Sequence, residues 1–474
     1  MSDIPLHTVI PRYDRLRSVI LQTGARVYLV GGAVRDFLLG RPSYDFDFTV
    51  FDDAGAFAGA ISTALGARLV VLDDRERIYR VVSRGVEYDF SAPKGPSLPS
   101  DLAMRDFTIN ALAADMSISP SPVAGIAGGL DDLAAGIVRA ASDRAFVDDP
   151  LRLLRAFRLA AVLGFSIDGR TMRQIARQRD LIGGCARERV RDELARLLAA
   201  PRAFRAIEAM DETGLLTAII PETGAMKGVD QNRWHSHDVW GHCLATMREM
   251  ETVTADLEHF FPGRGRRLAE YLAAPLGGGW TRGALSKLVA LLHDVGKPET
   301  RVVGDGDQAT FHGHENVGAA VFAAIGRRIL LGKKASRFGR LLIKNHMRLL
   351  SLAVSQRVTK RAVVRLFRDT GDVLPALLIL GLSDTRAGKT DDTRESESIR
   401  LIDEVFSVLD EIEAAVVTLL SGTEIMRLCS IPEGELVGRL KSELSDAQAV
   451  GSVTTEAGAR DFVLERMKHH GTND

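Results

Sequence analysis

Residues 27–48 constrain the fold of this chain more than any other segment. The apolar run Val27–Val30 predicts a buried strand. Gly31 and Gly32 follow it, and glycine lets the backbone turn sharply and approach a ligand closely. Residues 34–39 then predict a helix, whose first amides suit a phosphate group. A second predicted strand follows at residues 45–48, so the segment predicts a strand–turn–helix–strand unit in a small sheet.

Asp45 and Asp47 in that second strand are candidate metal ligands. Residues at i and i+2 of a strand point to the same face of a sheet. Carboxylate oxygens are the ligands that Mg²⁺ prefers. Two of them beside a phosphate cradle predict metal-assisted phosphoryl or nucleotidyl transfer.

Two further motifs follow in the chain, at residues 105–112 (RDFTINAL) and 148–158 (DDPLRLLRAFR). Together with the first unit, they resemble the bacterial-type tRNA nucleotidyltransferase/poly(A) polymerase family. The resemblance is strong over about residues 20–220 and looser beyond. It implies a multidomain α+β fold, in which a nucleotidyltransferase head with a small mixed β-sheet precedes all-helical neck, HD and tail domains.

The resemblance also implies roles for the residues of the first unit. Asp45 and Asp47 would bind catalytic Mg²⁺, which bridges the triphosphate and lowers the pKa of the attacking 3′-hydroxyl. Gly31, Gly32 and Arg35 would hold the triphosphate, with Arg35 as a charge-assisted donor.

The second motif supplies Arg105 and Asn110. We expect Arg105 to act with the catalytic aspartates by contacting the phosphates, and Asn110 to contact the sugar. The family usually has two arginines before Asp106, but Met104 takes the first place here. Asp89, on a later predicted strand, is either a third carboxylate of the site or a solvated strand residue.

Asp149 and Arg152 are candidates for selecting the base. They lie at i and i+3, on one face of a predicted helix. Asp149 would accept from an exocyclic amine, and Arg152 would donate to the adjacent ring nitrogen, which suits cytosine and adenine. Guanine and uracil present a carbonyl and a ring N–H instead, which would leave both side chains unmatched. Each unmatched group would cost about 1–3 kcal/mol of binding free energy. The alternative is an ordinary helical salt bridge; Arg155 and Arg158 extend the same face.

Arginine is concentrated in residues 152–205, where thirteen arginines and no lysine stand against five acidic residues. Arginine suits contacts with RNA phosphates and 2′-hydroxyls. The whole chain has a net charge of −1, so any RNA-attracting field must be local. We therefore expect tRNA as a partner and CTP and ATP as substrates, the alternative being a solvated charged face.

The expected product is CMP addition at the 3′ end of tRNA, with AMP addition left open. Only residues 91–104 separate the predicted strand ending at Phe90 from Arg105. Full CCA-adding relatives carry a longer flexible loop here, and a shortened loop is a feature of CC-adding specialists. A CC-adding enzyme and a poly(A) polymerase are therefore the alternatives within the class.

Histidine is concentrated in residues 226–392, which hold eight of the eleven histidines. Their order, His…His-Asp…His…His…Asp, resembles the HD phosphohydrolase domain. Such a site holds one or two divalent metals, whose identity is left open, and metal-activated water attacks a phosphate ester. A phosphohydrolase whose head only binds RNA is thus a rival interpretation. The predicted ligands are His242, His293, Asp294, His314, His346 and Asp384.

Four domains are predicted, at residues 1–145, 146–225, 226–392 and 393–474. The three cysteines lack the spacing of a disulfide framework or a zinc site, which favours a reducing cytoplasm. No run of about 20 apolar residues predicts a membrane span.

Overall fold

The chain forms two compact units, Met1–Pro221 and Glu222–Asp474. The finer division into four domains stays a prediction. The computed structural model describes residues 3–231, 237–304, 309–349, 359–388, 392–415, 419–449 and 452–470.

A seven-stranded sheet forms the first part of the N-terminal unit. Its strands are β1 (Val27–Val30), β2 (Asp45–Val50), β3 (Arg68–Asp73), β4 (Ile78–Ser83), β5 (Val86–Ser91), β6 (Leu112–Asp115) and β7 (Val123–Gly125). Their order across the sheet is β3-β4-β5-β2-β1-β6-β7. The pair β2–β5 is parallel and the other neighbouring pairs are antiparallel. The predicted mixed sheet is therefore confirmed.

The two faces of the central strands differ in character. Phe48 on β2 stacks on Phe90 of β5 with ring centroids 5.0 Å apart, and Phe57 packs edge-on against Phe90 at 5.5 Å. Phe48 and Phe90 are buried under the helix Ala54–Leu65, to which Phe57 belongs. Because side chains alternate along a strand, Asp45 and Asp47 lie on the opposite face. The sheet is thus anchored on one face and presents carboxylates on the other.

Helices complete the N-terminal unit, with short 3₁₀ segments at Thr108–Asn110 and Arg179–Gly184. The helices are α1 (Leu6–Val9), α2 (Tyr13–Thr23), α3 (Gly32–Leu38), α4 (Ala54–Leu65), α5 (Leu98–Ala103), α6 (Gly129–Ala135), α7 (Ala145–Asp148), α8 (Arg152–Leu163), α9 (Gly169–Gln178), α10 (Arg187–Ala199), α11 (Ala203–Glu212) and α12 (Leu215–Ile219).

The prediction that the neck is all-helical is wrong in one detail. Gly164, with φ +75°, ends α8. The chain then forms a short strand, β9 (Ser166–Ile167), parallel to β8 (Ile137–Val138). The main-chain hydrogen bonds of β9 reach a segment about 30 residues earlier, so no local pattern could reveal it.

The C-terminal unit is mainly helical. Its helices are α13 (Glu222–Met226), α14 (Val239–Ala255), α15 (Leu257–Phe260), α16 (Gly265–Ala273), α17 (Arg282–Leu292), α18 (Lys297–Thr300), α19 (His314–Arg328), α20 (Lys333–Asn345), α21 (Lys360–Thr370), α22 (Leu374–Ala387), α23 (Asp392–Ala415), α24 (Gly422–Cys429), α25 (Glu435–Ala449) and α26 (Glu456–His470), with a 3₁₀ turn at Gly371–Val373.

The prediction that this unit is all-helical is also wrong in detail, because it contains two short hairpins. They are β10 (Pro275–Gly277) with β11 (Trp280–Thr281), and β12 (Val302–Val303) with β13 (Ala309–Thr310). In the first hairpin, residues 277–279 are glycines with positive φ, which turn the chain back within a few residues.

The apolar helix α17 lies at the centre of this unit, and residues 284–292 are all buried. Helix α14 packs against both α17 and α22. None of the described helices is long and apolar enough to cross a membrane.

Candidate functional site

Three aspartates lie together on the open face of the sheet. Asp47 of β2 is directly opposite Asp89 of the parallel strand β5, and Asp45 precedes Asp47 by two residues. One carboxylate oxygen from each lies within 4.8 Å of the other two. The prediction that Asp45 and Asp47 share a face is confirmed, and the set includes Asp89, for which the sequence left two interpretations open.

The charges of neighbouring carboxylates act on Asp45 and Asp47. Desolvation by the surrounding protein and the charge of Asp45 raise the pKa of Asp47 to about 6, although Arg105 opposes the shift and part of the residue stays exposed on the open face. Burial and the charge of Asp89 also raise the pKa of Asp45. Crowded carboxylates resist ionisation unless a cation neutralises them. The donor set and its charge therefore fit a divalent metal ion.

Arg80 was not singled out from the sequence, yet it fixes the third carboxylate. It lies opposite Asp89 across the β4–β5 hairpin. Its Nε and Nη2 atoms each donate to Asp89 at 2.7 Å, and its guanidinium also contacts Glu87. The hairpin was predictable, and its register alone would have placed Arg80 beside Asp89.

Gly31 brings the main chain close to this site. Its φ is +76°, and a Cβ atom there would lie 3.2 Å from Arg105 Nη1 and 3.5 Å from Asp47 Oδ2. Glycine is therefore required at this turn. Arg105 also donates from Nη2 to Thr49 Oγ1 at 3.1 Å. The predicted catalytic arginine thus lies beside Asp47, and Gly32 begins α3 next to it.

Arg35 and Asn110 are joined within one buried network. Arg35 Nη1 donates to Asn110 Oδ1 at 2.5 Å, and its Nε and Nη2 atoms donate to Asp36. Asn110 Nδ2 donates to Asp106 Oδ1 at 3.0 Å. The network orders both side chains, and their contacts with a nucleotide stay a prediction.

Asp149 and Arg152 take different partners. Asp149 Oδ2 accepts from Arg189 Nη2 at 2.9 Å. Arg152 is buried, and its two terminal nitrogens donate at 3.1–3.3 Å to main-chain carbonyls, those of Met104, Arg105 and Ala145. Asp149 and Arg152 therefore do not form the salt bridge of the alternative interpretation, and the expected pairing of Arg152 with a base stays a prediction. Arg152 instead ties α8 to the end of α5 and to α7.

Arg155 and Arg158 both pair with Glu193, a buried residue of α10. Arg158 Nε lies 2.6 Å from Glu193 Oε2, and Arg155 Nε lies 3.4 Å from Oε1. Arg155 Nη1 also reaches Asp106 at 3.3 Å. Sequence reasoning missed Glu193 because nothing local marks one acidic residue on an otherwise buried helical face. Whether the two arginines contact a nucleotide stays a prediction.

The second candidate site lies in the C-terminal unit, where the six predicted ligands converge. His242 Nε2 lies 2.8 Å from Asp384 Oδ1. His293 Nε2 lies 3.4 Å from Asp294 Oδ2 and 3.5 Å from Asp384 Oδ1. The other oxygen of Asp294, Oδ1, lies 3.3 Å from His314 Nε2 and 3.7 Å from His346 Nε2.

The orientation of the imidazoles fits a metal. Three Nδ1 atoms lie 2.7–2.9 Å from main-chain carbonyls, so the Nε2 atom of each ring faces the cluster and would offer its lone pair to a metal in the neutral form. His314 Nε2 and His346 Nε2 are 3.2 Å apart, where two acceptors cannot share a hydrogen bond. Among the described residues, His293 Nε2 has no hydrogen-bond partner. A cation would satisfy all three nitrogens.

Lys297 borders this cluster. Its Nζ lies 2.6 Å from Asp294 Oδ2 and donates to Gln231 Oε1 at 2.6 Å. Burial of Asp294 opposes its ionisation, but Lys297 and His293 hold the pKa of that carboxyl well below its usual range. The buried aspartate is therefore available as an anionic ligand.

A glycine turn and a set of carboxylates on a mixed sheet define the first site as a nucleotidyltransferase head. Residues 27–139 match the family described as "Poly A polymerase head domain". Residues 164–226 match the one described as "Probable RNA and SrmB- binding site of polymerase A". The first match lies within the N-terminal unit, and the second lies there apart from residues 222–226, which begin the C-terminal unit.

Similarity to named proteins extends over nearly the whole chain. An A-adding tRNA nucleotidyltransferase of Deinococcus radiodurans is 33% identical, over 92% of this chain and 94% of that protein. A CC-adding tRNA nucleotidyltransferase of Thermus thermophilus is also 33% identical, over 92% of both. This chain therefore belongs to the tRNA nucleotidyltransferase/poly(A) polymerase family.

The fold agrees with that assignment. The structure of a Thermotoga maritima CCA-adding enzyme complexed with tRNA superposes with a TM-score of 0.65 and 18% identity. The superposition covers 98% of this chain and 99% of the other.

Proposed function

We propose that this protein transfers CMP from CTP to the 3′ end of tRNA. The observation that carries the proposal is the cluster of Asp45, Asp47 and Asp89 beside Gly31 and Arg105, in a chain that belongs to this family. An A-adding and a CC-adding relative match the chain at the same 33% identity, so overall similarity does not select the nucleotide. Local chemistry must select it.

The roles follow from the contacts. Asp45 and Asp47 would hold Mg²⁺, which when bound neutralises the triphosphate and lowers the pKa of the 3′-hydroxyl. Arg105 lies beside Asp47 and would neutralise further phosphate charge. Gly31 lets the triphosphate approach the main chain because it has no side chain. The predicted cytoplasmic location is kept as part of this proposal, since the three cysteines are free thiols.

Asp149 supplies the selection of the base. Its carboxylate accepts hydrogen bonds but does not donate, so it suits the amine of cytosine or adenine and not the carbonyl of uracil or guanine. The test is incorporation of each labelled nucleotide into tRNA lacking its CCA end. We expect CMP incorporation, and we expect Asp149→Ala to lower the CTP-over-UTP preference about tenfold or more. The exposed neighbour Asp148, which pairs with Arg144, provides the control variant Asp148→Ala.

Absence of CMP incorporation by the wild type would overturn the proposal. Unchanged selectivity in Asp149→Ala would overturn the assignment of base selection alone.

The segment between β5 and Arg105 favours termination after the second cytidine. Only residues 92–97 separate the end of β5 at Ser91 from helix α5. Ser97 caps α5 in a capping box with Ser100. In the resemblance, a longer flexible loop is associated with the switch to adenosine. The segment before Arg105 therefore consists of six linking residues, the helix α5 and Met104, with no room for a long flexible loop. Its shortness supports a CC-adding product over complete CCA addition or poly(A) synthesis.

We propose a second function for the C-terminal unit: hydrolysis of phosphate esters at a divalent-metal site. The observation that favours it is the set of Nε2 atoms of His293, His314 and His346 around Asp294. When bound there, a metal supplies an activated water molecule. The mixed nitrogen and oxygen donors admit several first-row ions.

The test is the metal content of the full chain, together with hydrolysis of p-nitrophenyl phosphate. We expect bound metal in the wild type and its loss in His293→Ala. His259→Ala, which alters an exposed histidine outside the cluster, should retain it. Wild-type protein that stays metal-free after incubation with Ni²⁺, Mn²⁺ and Fe²⁺ would overturn this second proposal.

A further inference from the structure

Arg189 is the direct charged partner of the proposed base-selecting carboxylate. It lies in the first turn of α10, and its Nη2 donates to Asp149 Oδ2 at 2.9 Å. The other oxygen of Asp149, Oδ1, accepts from the amide of Leu151 at 3.2 Å. Each oxygen of the carboxylate is therefore held by one protein donor. A carboxylate oxygen has two lone pairs, so each retains capacity for a further donor.

Arg152 binds main-chain carbonyls, whereas Arg189 binds Asp149 and is more accessible. A guanidinium has five N–H donors, and Arg152 uses three of them on main-chain carbonyls. Arg152 is also buried. Half of the Arg189 side chain is exposed, and about a quarter of the Asp149 side chain is exposed. The accessible donor–acceptor pair at this position is thus Arg189 with Asp149.

The same face of α10 continues along the transferase site. Glu193 follows Arg189 by four residues and pairs with Arg155 and Arg158. Arg196 follows Arg189 by seven residues. It is near enough to Asp45 for its charge to oppose the rise that desolvation causes in the pKa of that carboxyl. Residues at i, i+4 and i+7 share one face of a helix. Helix α10 is therefore one wall of the site, and Arg189 is the member of that wall that contacts Asp149.

We propose that Arg189 is a positioning residue for nucleotide selection, which holds Asp149 in the orientation that accepts the exocyclic amine of CTP. This inference rests on the proposed function and deepens it. With its orientation fixed, the carboxylate accepts a hydrogen bond from the amine of cytosine and repels the carbonyl oxygen that uracil has at the same place. Without Arg189, Asp149 can rotate toward solvent, so its contact with CTP weakens and the penalty against UTP falls.

A different role for Arg189 would be contact with an RNA phosphate, since it belongs to the arginine-rich segment. The two roles change different quantities. A residue that acts through Asp149 changes selection among nucleoside triphosphates. A phosphate contact changes the KM for tRNA and the salt dependence of binding equally for every nucleotide.

The experiment measures kcat and KM for CTP and UTP with the full chain and tRNA lacking its CCA end. The variants are Arg189→Ala, Arg189→Lys, Asp149→Ala and the double variant Arg189→Ala/Asp149→Ala. Arg191→Ala is the matched control, because Arg191 lies on the same helix but pairs with Asp192 at 2.8 Å. It removes one positive charge from α10 without touching Asp149. Thermal melting of each variant checks that it is folded.

We expect Arg189→Ala to lower the CTP-over-UTP preference about tenfold, mainly through a higher KM for CTP. Arg189→Lys should recover part of the preference, and Arg191→Ala should leave it unchanged. In the Asp149→Ala background, loss of Arg189 should have no further effect on selectivity, because the carboxylate that Arg189 holds is already absent.

Two results would overturn the inference while leaving the proposed function intact. One is a changed KM for tRNA with unchanged CTP-over-UTP preference in Arg189→Ala. The other is a selectivity loss that adds fully to that of Asp149→Ala. Failure of the wild type to transfer CMP would instead overturn the proposed function, and the inference with it.

Discussion

At the scale of single residues, Asp106 shows how buried charge stabilises the transferase site. It is buried and accepts from Asn110 and Arg155. Burial alone would raise the pKa of Asp106, but Arg155 and the hydrogen bond from Asn110 hold that pKa below its ordinary value. A lowered folded-state pKa means that ionised Asp106 stabilises the fold above about pH 4. That contribution is lost as the pH falls through the folded-state pKa.

We therefore expect Asp106→Asn to lower the free energy of unfolding by about 2 kcal/mol at pH 7, because Arg155 loses one of its two acidic partners. The deficit should shrink at about pH 3, which is below the ordinary pKa of an aspartate, because the stabilisation by ionised Asp106 declines there. Urea unfolding at both pH values measures it. The exposed residue Asp131 supplies the control variant Asp131→Asn. A deficit of equal size at both pH values would contradict the lowered pKa.

Sequence reasoning found the acidic residues of the site more readily than their partners. Asp45 and Asp47 follow from the period of two in a strand. Arg80 was within reach, because the short turn at Arg84 and Gly85 joins two apolar strands and fixes its position opposite Asp89. Glu193 was not, since its arginine partners lie on a helix about 35 residues earlier and a buried glutamate has no local signature.

At the scale of elements, the metal cluster depends on a close approach between the turn after α17 and helix α19. A Cβ atom on Gly296 would lie 2.2 Å from His314 O and 2.5 Å from Gly318 N. Both distances are shorter than van der Waals contact allows. Both neighbours are main-chain atoms, so neither can rotate away. A glycine at position 296 therefore sets the position of His314 in the cluster.

Gly296→Ala should displace α19, lower the bound metal severalfold and reduce the free energy of unfolding by about 1–3 kcal/mol. Metal analysis and thermal melting measure the two effects. The control is Gly438→Ala in α25, where a new Cβ atom meets open space and helix propensity favours alanine by about 0.5–1 kcal/mol. Normal metal content in Gly296→Ala would show that the close approach is not needed.

The elements themselves were largely predictable, and the exceptions have a common cause. The β-strands around Asp45 and the hairpin before Arg105 follow from local periodicity. The parallel pair β8–β9 and the contacts of Arg152 with the carbonyls of Met104 and Arg105 join segments far apart in the chain. Such contacts depend on the tertiary fold, which periodicity does not report.

At the scale of the whole molecule, the two candidate sites belong to different compact units, Met1–Pro221 and Glu222–Asp474. Each site draws all its proposed ligands from its own unit. The account therefore predicts that Asp47→Asn lowers CMP transfer by roughly 10³-fold or more and leaves the metal content of the C-terminal cluster unchanged. His293→Ala should lower the metal content of the C-terminal cluster and leave CMP transfer unchanged. Loss of both properties in either variant would contradict the independence of the two sites.

The most direct test of the central claim uses three tRNA transcripts, which end before the CCA, after its first C and after CC. Each is incubated with Mg²⁺ and labelled CTP, ATP or both, and the products are resolved at single-nucleotide length. The account predicts that two cytidines are added to the transcript that ends before the CCA and one to the transcript that ends after its first C. Nothing is added to the transcript that ends after CC, and ATP changes none of these results. Addition of adenosine after CC would support transfer to tRNA but refute termination at CC. No CMP incorporation on the first two transcripts, or AMP incorporation alone on the third, would contradict the central claim.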